Sequence, residues 1–291
     1  MTSLNSNGHP TIRGAARLSA TAAATALVLT GCGLGGEEHE VGAEGEDGAV
    51  VLTVGASPVP HADILAFIDD ELAQDAGIEL DVVEYQDYNE PNAALESGDL
   101  DANYFQHLPF YESEVEGQGY DMAHFEGVHI EPFALFSNRH DSIEDIPEGG
   151  QIGVNNDPSN QGRALALLQE AGLITLADGV DPAAATLNDI DENPDDFEFI
   201  EAEAASLART LDDVDASVLN GNNALQMGLS PTQDSLLVED ADGNPYANFL
   251  AVRAGDEDEE ALQTLNELLH SDEVRDYIEQ TWPDGEVAPA F

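Results

Sequence analysis

The chain has 291 residues, 42% of them hydrophobic, enough for one large or two medium domains with real cores and too apolar for a disordered polymer. Sixty Asp and Glu face seven basic residues, all arginine, for a formal net charge of -53. That surplus excludes nucleic acid and anionic lipid surfaces as partners, since phosphate binding needs basic patches. It also marks a salt-adapted protein that meets the external medium, because molar salt shortens the screening length to roughly 3 Å and removes most of the self-repulsion.

Residues 1–31 hold no acid. Arg13 and Arg17 precede an apolar run from Ala20 to Leu29, too short to span a membrane, and Leu29-Thr30-Gly31-Cys32 closes it. The pattern resembles a bacterial lipoprotein signal, with 1–31 removed and Cys32 lipidated as the first mature residue; the alternative is an ordinary secretory signal with a stray cysteine. Cys32 is the only cysteine, so no disulfide is expected. Residues 32–48, rich in Gly and Glu, predict a flexible acidic tether.

Val50–Val54 reads as a buried strand, and Ile64, Leu65, Ile68 and Leu72 form one apolar stripe of a following helix that Gly77 ends. Ile78–Tyr85 alternates as a strand, Asn89–Glu96 reads as a helix ended by Gly98, and Leu100–His107 as a third strand before a helix opened by Pro109. This β-α-β-α order predicts an α/β fold with a parallel, right-handed sheet and ligand contacts at the strands' carboxyl ends. A further strand at Phe133–Ser137 leads away toward a second lobe. There, strands are expected at Gln151–Val154, Phe197–Ile200 and Val214–Leu219, and helices run from Ala164 to Gly172 and from Ala204 to Leu211. A strand at Asn248–Arg253 and helices at Glu257–Leu269 and Asp272–Gln280 pack back on the first lobe. The expected division is 49–137 with 250–291 as lobe 1, and 138–249 as lobe 2. There is no internal repeat and no membrane-length apolar segment.

No Gly-x-Ser-x-Gly elbow, His-Glu-x-x-His or Walker-type loop occurs, so no catalysis and no cofactor are expected. His124 and His129 lack a usual metal spacing, and no metal site is expected either. What remains suits a small amphoteric ligand. The strand-to-helix turn Asn155–Leu165 is either an ordinary capped turn with a surface arginine or an anion site, with Ser159 or Asn160 as cap and Arg163 in the first turn. Tyr88, Tyr104, Phe105, His107 and His129 are either core or the aromatic wall of a pocket. Asn160 joins Arg163 in the anion-site reading, and Asn220, Asn222 and Asn248 either shape turns or offer amides to a ligand.

Val54-Gly55-Ala56-Ser57-Pro58-Val59-Pro60-His61, Asp87-Tyr88, Asp101-Ala102-Asn103-Tyr104-Phe105-Gln106-His107, Asn156-Asp157-Pro158-Ser159-Asn160-Gln161-Gly162-Arg163 and Asn220-Gly221-Asn222 together resemble the NlpA/MetQ-type methionine-binding lipoproteins of bacterial ABC importers. The resemblance covers the chain from about residue 50. It implies a two-lobed periplasmic-binding-protein type II fold with methionine in the cleft between lobes, and partners in a permease and its ATPase. It further implies a lipid-anchored monomer on the outer face of the cell membrane. By that resemblance Arg163 takes the ligand carboxylate, Asn220 and Asn248 hold its polar end, and the aromatics and histidines enclose the thioether. Asn223 stands where the family commonly has an aromatic, which leaves another amino acid or a methionine derivative as alternative ligands. An orphan surface or signalling lipoprotein without transport is the alternative role.

Overall fold

The structure, a computed structural model, describes residues 41–45, 48–240 and 244–291; the expected signal peptide, Cys32 and most of the expected tether lie outside these residues. Where the tether is described it is not free. Ala43–Glu44 (β1) pairs antiparallel with Val50–Ala56 (β2), and the Gly42 amide donates to Asp101 at 3.1 Å, so the ordered domain begins earlier than the composition suggests.

β2 pairs in parallel with Ile78–Glu84 (β3) on one side and Ala102–His107 (β4) on the other. The intervening helical stretch, 58–76, contains Asp63–Ile68 (α1) and Gln74–Ala76 (α2) and buries Ile64, Leu65 and Ile68 under this sheet. Gly77 ends it at φ 79°, and Gly98 ends Glu90–Ser97 (α3) at φ 83°. Both occupy the left-handed position that a side chain disfavours.

Leu108–Gln118 (α4) leads into Met122–Ile130 (β5), and from there the sheet is mixed. Asn248–Arg253 (β13) lies antiparallel between β4 and β5, and Ala288–Pro289 (β14) pairs antiparallel with the outer side of β5. The all-parallel expectation therefore fails for half the sheet. The cause is topological: β13 arrives from the other sheet and so enters this one from the opposite end.

The second sheet has the order β10-β7-β11-β6-β12. Its members are Ala134–Phe136 (β6), Gln151–Asn155 (β7), Glu198–Ala202 (β10), Ala216–Leu219 (β11) and Leu237–Val238 (β12). Thr175–Leu176 (β8) and Ile190–Glu192 (β9) form a separate ribbon. Pro158–Glu170 (α5), Ala204–Arg209 (α6) and Gly221–Gln226 (α7) connect the strands, and α5 buries Leu165 and Leu168 against Ile152, Val154 and Val218. β6 hydrogen-bonds to β11 and β12, whereas Asn248 and Phe249 belong to the first sheet. The segments between the two sheets are the crossovers 131–133 and 239–247. Glu260–Leu269 (α8) and Asp272–Thr281 (α9) close on the first core, where Leu262, Leu265, Leu269, Val274 and Ile278 meet Leu52, Val54 and Leu250.

Candidate functional site

A cavity lies between the sheets, lined by residues from both. Eight residues singled out in the sequence line it: Tyr88, Phe105, His107, Asn160, Arg163, Asn220, Asn222 and Asn248. Tyr104 and His129 do not. Both are fully buried one layer deeper, Tyr104 with its ring edge-on to His61 at 4.8 Å between centroids. Neighbours in a strand face opposite sides, and Phe105 accordingly turns toward Tyr88 and Phe110 on the cavity side. Gln106 and Gly221, members of the motifs quoted above, also line the cavity, as do Phe110 and Glu131, which carry no sequence signal.

The helix start differs from expectation. Asp157 is the N-cap of α5, accepting from the Asn160 amide at 2.9 Å, and Arg163 sits in the second turn. The Asn160 side chain is thereby released for the cavity. Its Oδ1 accepts from Asn220 Nδ2 at 2.9 Å and from His107 Nε2 at 3.2 Å, while Asn155 Nδ2 donates to Asn220 Oδ1 at 3.0 Å. His107 Nδ1 accepts from the Phe110 amide, which leaves Nε2 as the protonated nitrogen. Burial, reinforced by the Arg163 charge, lowers the His107 pKa to about 3.

Two hydrogen-bonded contacts span the cavity between elements of the two sheets. One is His107 with Asn160. The other runs from Tyr88, after β3, to α7: its hydroxyl donates to Asn222 Oδ1 at 2.6 Å and accepts from Asn223 Nδ2 at 2.9 Å. Asn223 lies behind the lining and braces Tyr88.

Arg163 is 4% exposed. Its Nε donates to both Glu239 carboxylate oxygens at 3.1 and 3.2 Å, its Nη2 to Glu239 Oε2 and, at 3.1 Å, to the Glu131 carbonyl. The guanidinium carbon lies 4.7 Å from the Phe133 ring centroid and 4.1 Å from that of Tyr246. Nη1 is the edge these contacts leave unused. Glu131 and Phe133 lie on one crossover, Glu239 and Tyr246 on the other, so a single side chain touches both.

Beneath the opposite wall, Glu131 Oε1 is 2.8 Å from His129 Nε2 and 3.3 Å from His61 Nε2, which also lies 3.2 Å from Asn248 Oδ1. His129 Nδ1 is engaged by the Tyr104 hydroxyl. With acceptors around each Nε2, both histidines carry their proton there. The Asn222 amide donates to Glu131 as well. Three N–H donors converge on one carboxyl group, an arrangement that suits the acceptor-only ionised form. Burial raises the Glu131 pKa, with the His61, Asn222 and Arg163 contacts opposing it, and burial lowers His61 to about 4 and His129 to about 3. The donor atoms of His61, His129 and Glu131 lie within 4.8 Å of one another and are zinc-ligand types. This grouping differs from the pair of histidines conspicuous in the sequence, since His124 is exposed while His129 is buried. In the arrangement present, each Nε2 proton is used on an acceptor, and a metal would have to displace both.

These histidines make stability pH-dependent. Below the ordinary pKa near 6.5 the unfolded chain binds protons that the folded chain refuses. Stability is therefore full above that value and falls as pH drops toward about 4, by up to roughly 1.4 kcal/mol per pH unit for each buried histidine. The raised Glu131 offsets part of this at the acid end, because the folded carboxyl takes up its proton more readily. The melting temperature in molar salt should fall from pH 6.5 to 4, and His107→Asn should flatten the decline; an unaltered slope would refute the assignment.

Two sheets joined by paired crossovers, with a polar cavity between their facing edges, define a two-lobed solute-binding protein. The chain belongs to the NlpA lipoprotein family, whose match spans residues 52–291. It is 40% identical over 247 residues to the methionine-binding lipoprotein MetQ of Bacillus subtilis, covering 84% of this chain and 89% of that one. It is 36% identical over 226 residues to the D-methionine-binding lipoprotein MetQ of Escherichia coli, covering 77% and 83%. Among solved structures, a nutrient binding protein from Burkholderia cenocepacia bound to methionine superposes with a TM-score of 0.79 at 39% identity, covering 82% of this chain and all of that one. The family is one of binding proteins. No helix among the described residues is long and apolar enough to cross a membrane.

Proposed function

We propose that this chain is an extracytoplasmic receptor that captures methionine and delivers it to an ABC import permease with its ATPase. It acts as a monomer held at the outer face of the membrane by lipid on Cys32. One lobe comprises residues 41–45, 48–130 and 248–291 and the other 134–238, and the cleft between them closes about the ligand by hinge motion at the crossovers.

One observation carries this reading: one cavity lined by buried side chains presents a guanidinium edge, the Glu131 carboxyl group and an aromatic wall together. An α-amino acid with an apolar side chain complements all three. Arg163 Nη1 takes the carboxylate, with Asn160 and Asn220 beside it. Glu131 and Asn248 hold the ammonium. Tyr88, Phe105, Phe110 and His107 enclose the side chain, where a thioether at aromatic edges gains about 0.3–1.5 kcal/mol per good contact. The names of the relatives, and the methionine in the Burkholderia cenocepacia protein, support the choice of ligand.

Calorimetry of the protein in molar salt against both methionine enantiomers, leucine and N-acetylmethionine tests it. Saturable heat with methionine, and much weaker binding of leucine and of the acetylated analogue, is expected. No heat with either enantiomer would sink the proposal.

A further inference from the structure

Glu239 is an internal carboxylate partner of Arg163. It lies just past β12 on the returning crossover, and its backbone amide donates to the Phe133 carbonyl at 2.8 Å. Its own carboxylate accepts from the Phe133 amide at 3.2 Å and from two nitrogens of Arg163. The forked Nε/Nη2 edge, the geometry best matched to a carboxylate, is thus filled from within the chain. A ligand carboxylate meets only Nη1, with a second negative charge on the far side of the same guanidinium.

We propose that Glu239 is a specificity-determining residue that attenuates affinity for ligands bearing a carboxylate. This rests on Arg163 serving as the carboxylate subsite. Two effects of Glu239 oppose each other. It orders Arg163, which helps any anion, and it repels the anion directly. The ordering is largely redundant, because the Glu131 carbonyl and the Phe133 and Tyr246 rings hold the guanidinium as well. The repulsion is not. Like charges about 6 Å apart at an effective dielectric of about 20 shift an equilibrium by roughly 100-fold. Glu239 is 16% exposed, so water screens part of that. The net effect is weaker binding of a carboxylate than a neutral residue at 239 would allow. For a cationic ligand the sign reverses, since Glu239 then attracts.

The test compares methionine with methioninol, its amino alcohol, by calorimetry in molar salt on wild type, Glu239→Gln and Glu239→Ala. Both variants should bind methionine about tenfold more tightly and methioninol no more tightly, or less, than wild type. A loss of structure would shift both ligands the same way, so a parallel shift, or weaker methionine binding in both variants, overturns the inference. A crystal structure of the wild-type protein with methionine guards against variants that fail to fold. Glu239 should remain on Nε and Nη2 with the ligand carboxylate at Nη1, and a displaced Glu239 overturns it. If wild type binds no methionine at all, the proposed function fails instead.

Discussion

Arg163→Ala should abolish measurable methionine binding in calorimetry and lower the melting temperature in the same protein. The substitution removes the ligand carboxylate's donor. It also leaves Glu239 without its charge partner near the cavity and empties the space between the Phe133 and Tyr246 rings. Truncating one member of a buried, hydrogen-bonded charge pair costs about 2–5 kcal/mol, or roughly 30-fold to several thousand-fold in affinity. Arg163→Lys should recover little. An ammonium is a point donor and cannot reach the Glu239 carboxylate, the Glu131 carbonyl and a ligand at once. Unchanged methionine affinity in the alanine variant would dismiss the carboxylate subsite.

Glu131→Gln should weaken methionine binding by about 100-fold, a charge-assisted contact being worth roughly 1.5–3 kcal/mol. The amide has one acceptor oxygen where the carboxylate has two, and three N–H groups point at this side chain. N-acetylmethionine separates the causes. It has no ammonium, so its weak binding should respond far less than that of methionine. Equal losses for the two ligands would mean that Glu131 only maintains the wall.

These two residues show what could be read from the chain and what could not. Arg163 stood out because there are only seven basic residues in 291, and it follows a strand-to-helix turn. Glu131 was hidden for the opposite reason: it is one of 60 acids, and nothing local separates a buried carboxylate from a solvated one. Its role depends on His61, seventy residues earlier, and on the Asn222 amide, ninety-one residues later. Glu239 was hidden in the same way. Tyr104, open in the sequence between core and cavity wall, belongs to the core, because the two-residue period of a strand turns its ring and that of Phe105 to opposite faces. The cap of α5 passed to Asp157, whose extended backbone, followed by Pro158, places its carboxylate over the Asn160 amide.

The sequence by itself determined the longer helices and eight strands, β2, β3, β4, β6, β7, β10, β11 and β13, but not β5 or the short strands, and it pointed to eight residues of the cavity lining. Apolar periodicity, left-handed glycines and Pro at helix starts act over a few residues and are written locally. Only the tertiary structure decided that β13 returns antiparallel into the first sheet and that the crossovers fall at 131–133 and 239–247. It also decided that Arg163 touches both crossovers while an internal carboxylate fills its fork. Those facts depend on contacts between segments far apart in the chain, where burial and charge pairing act through space and leave no local pattern.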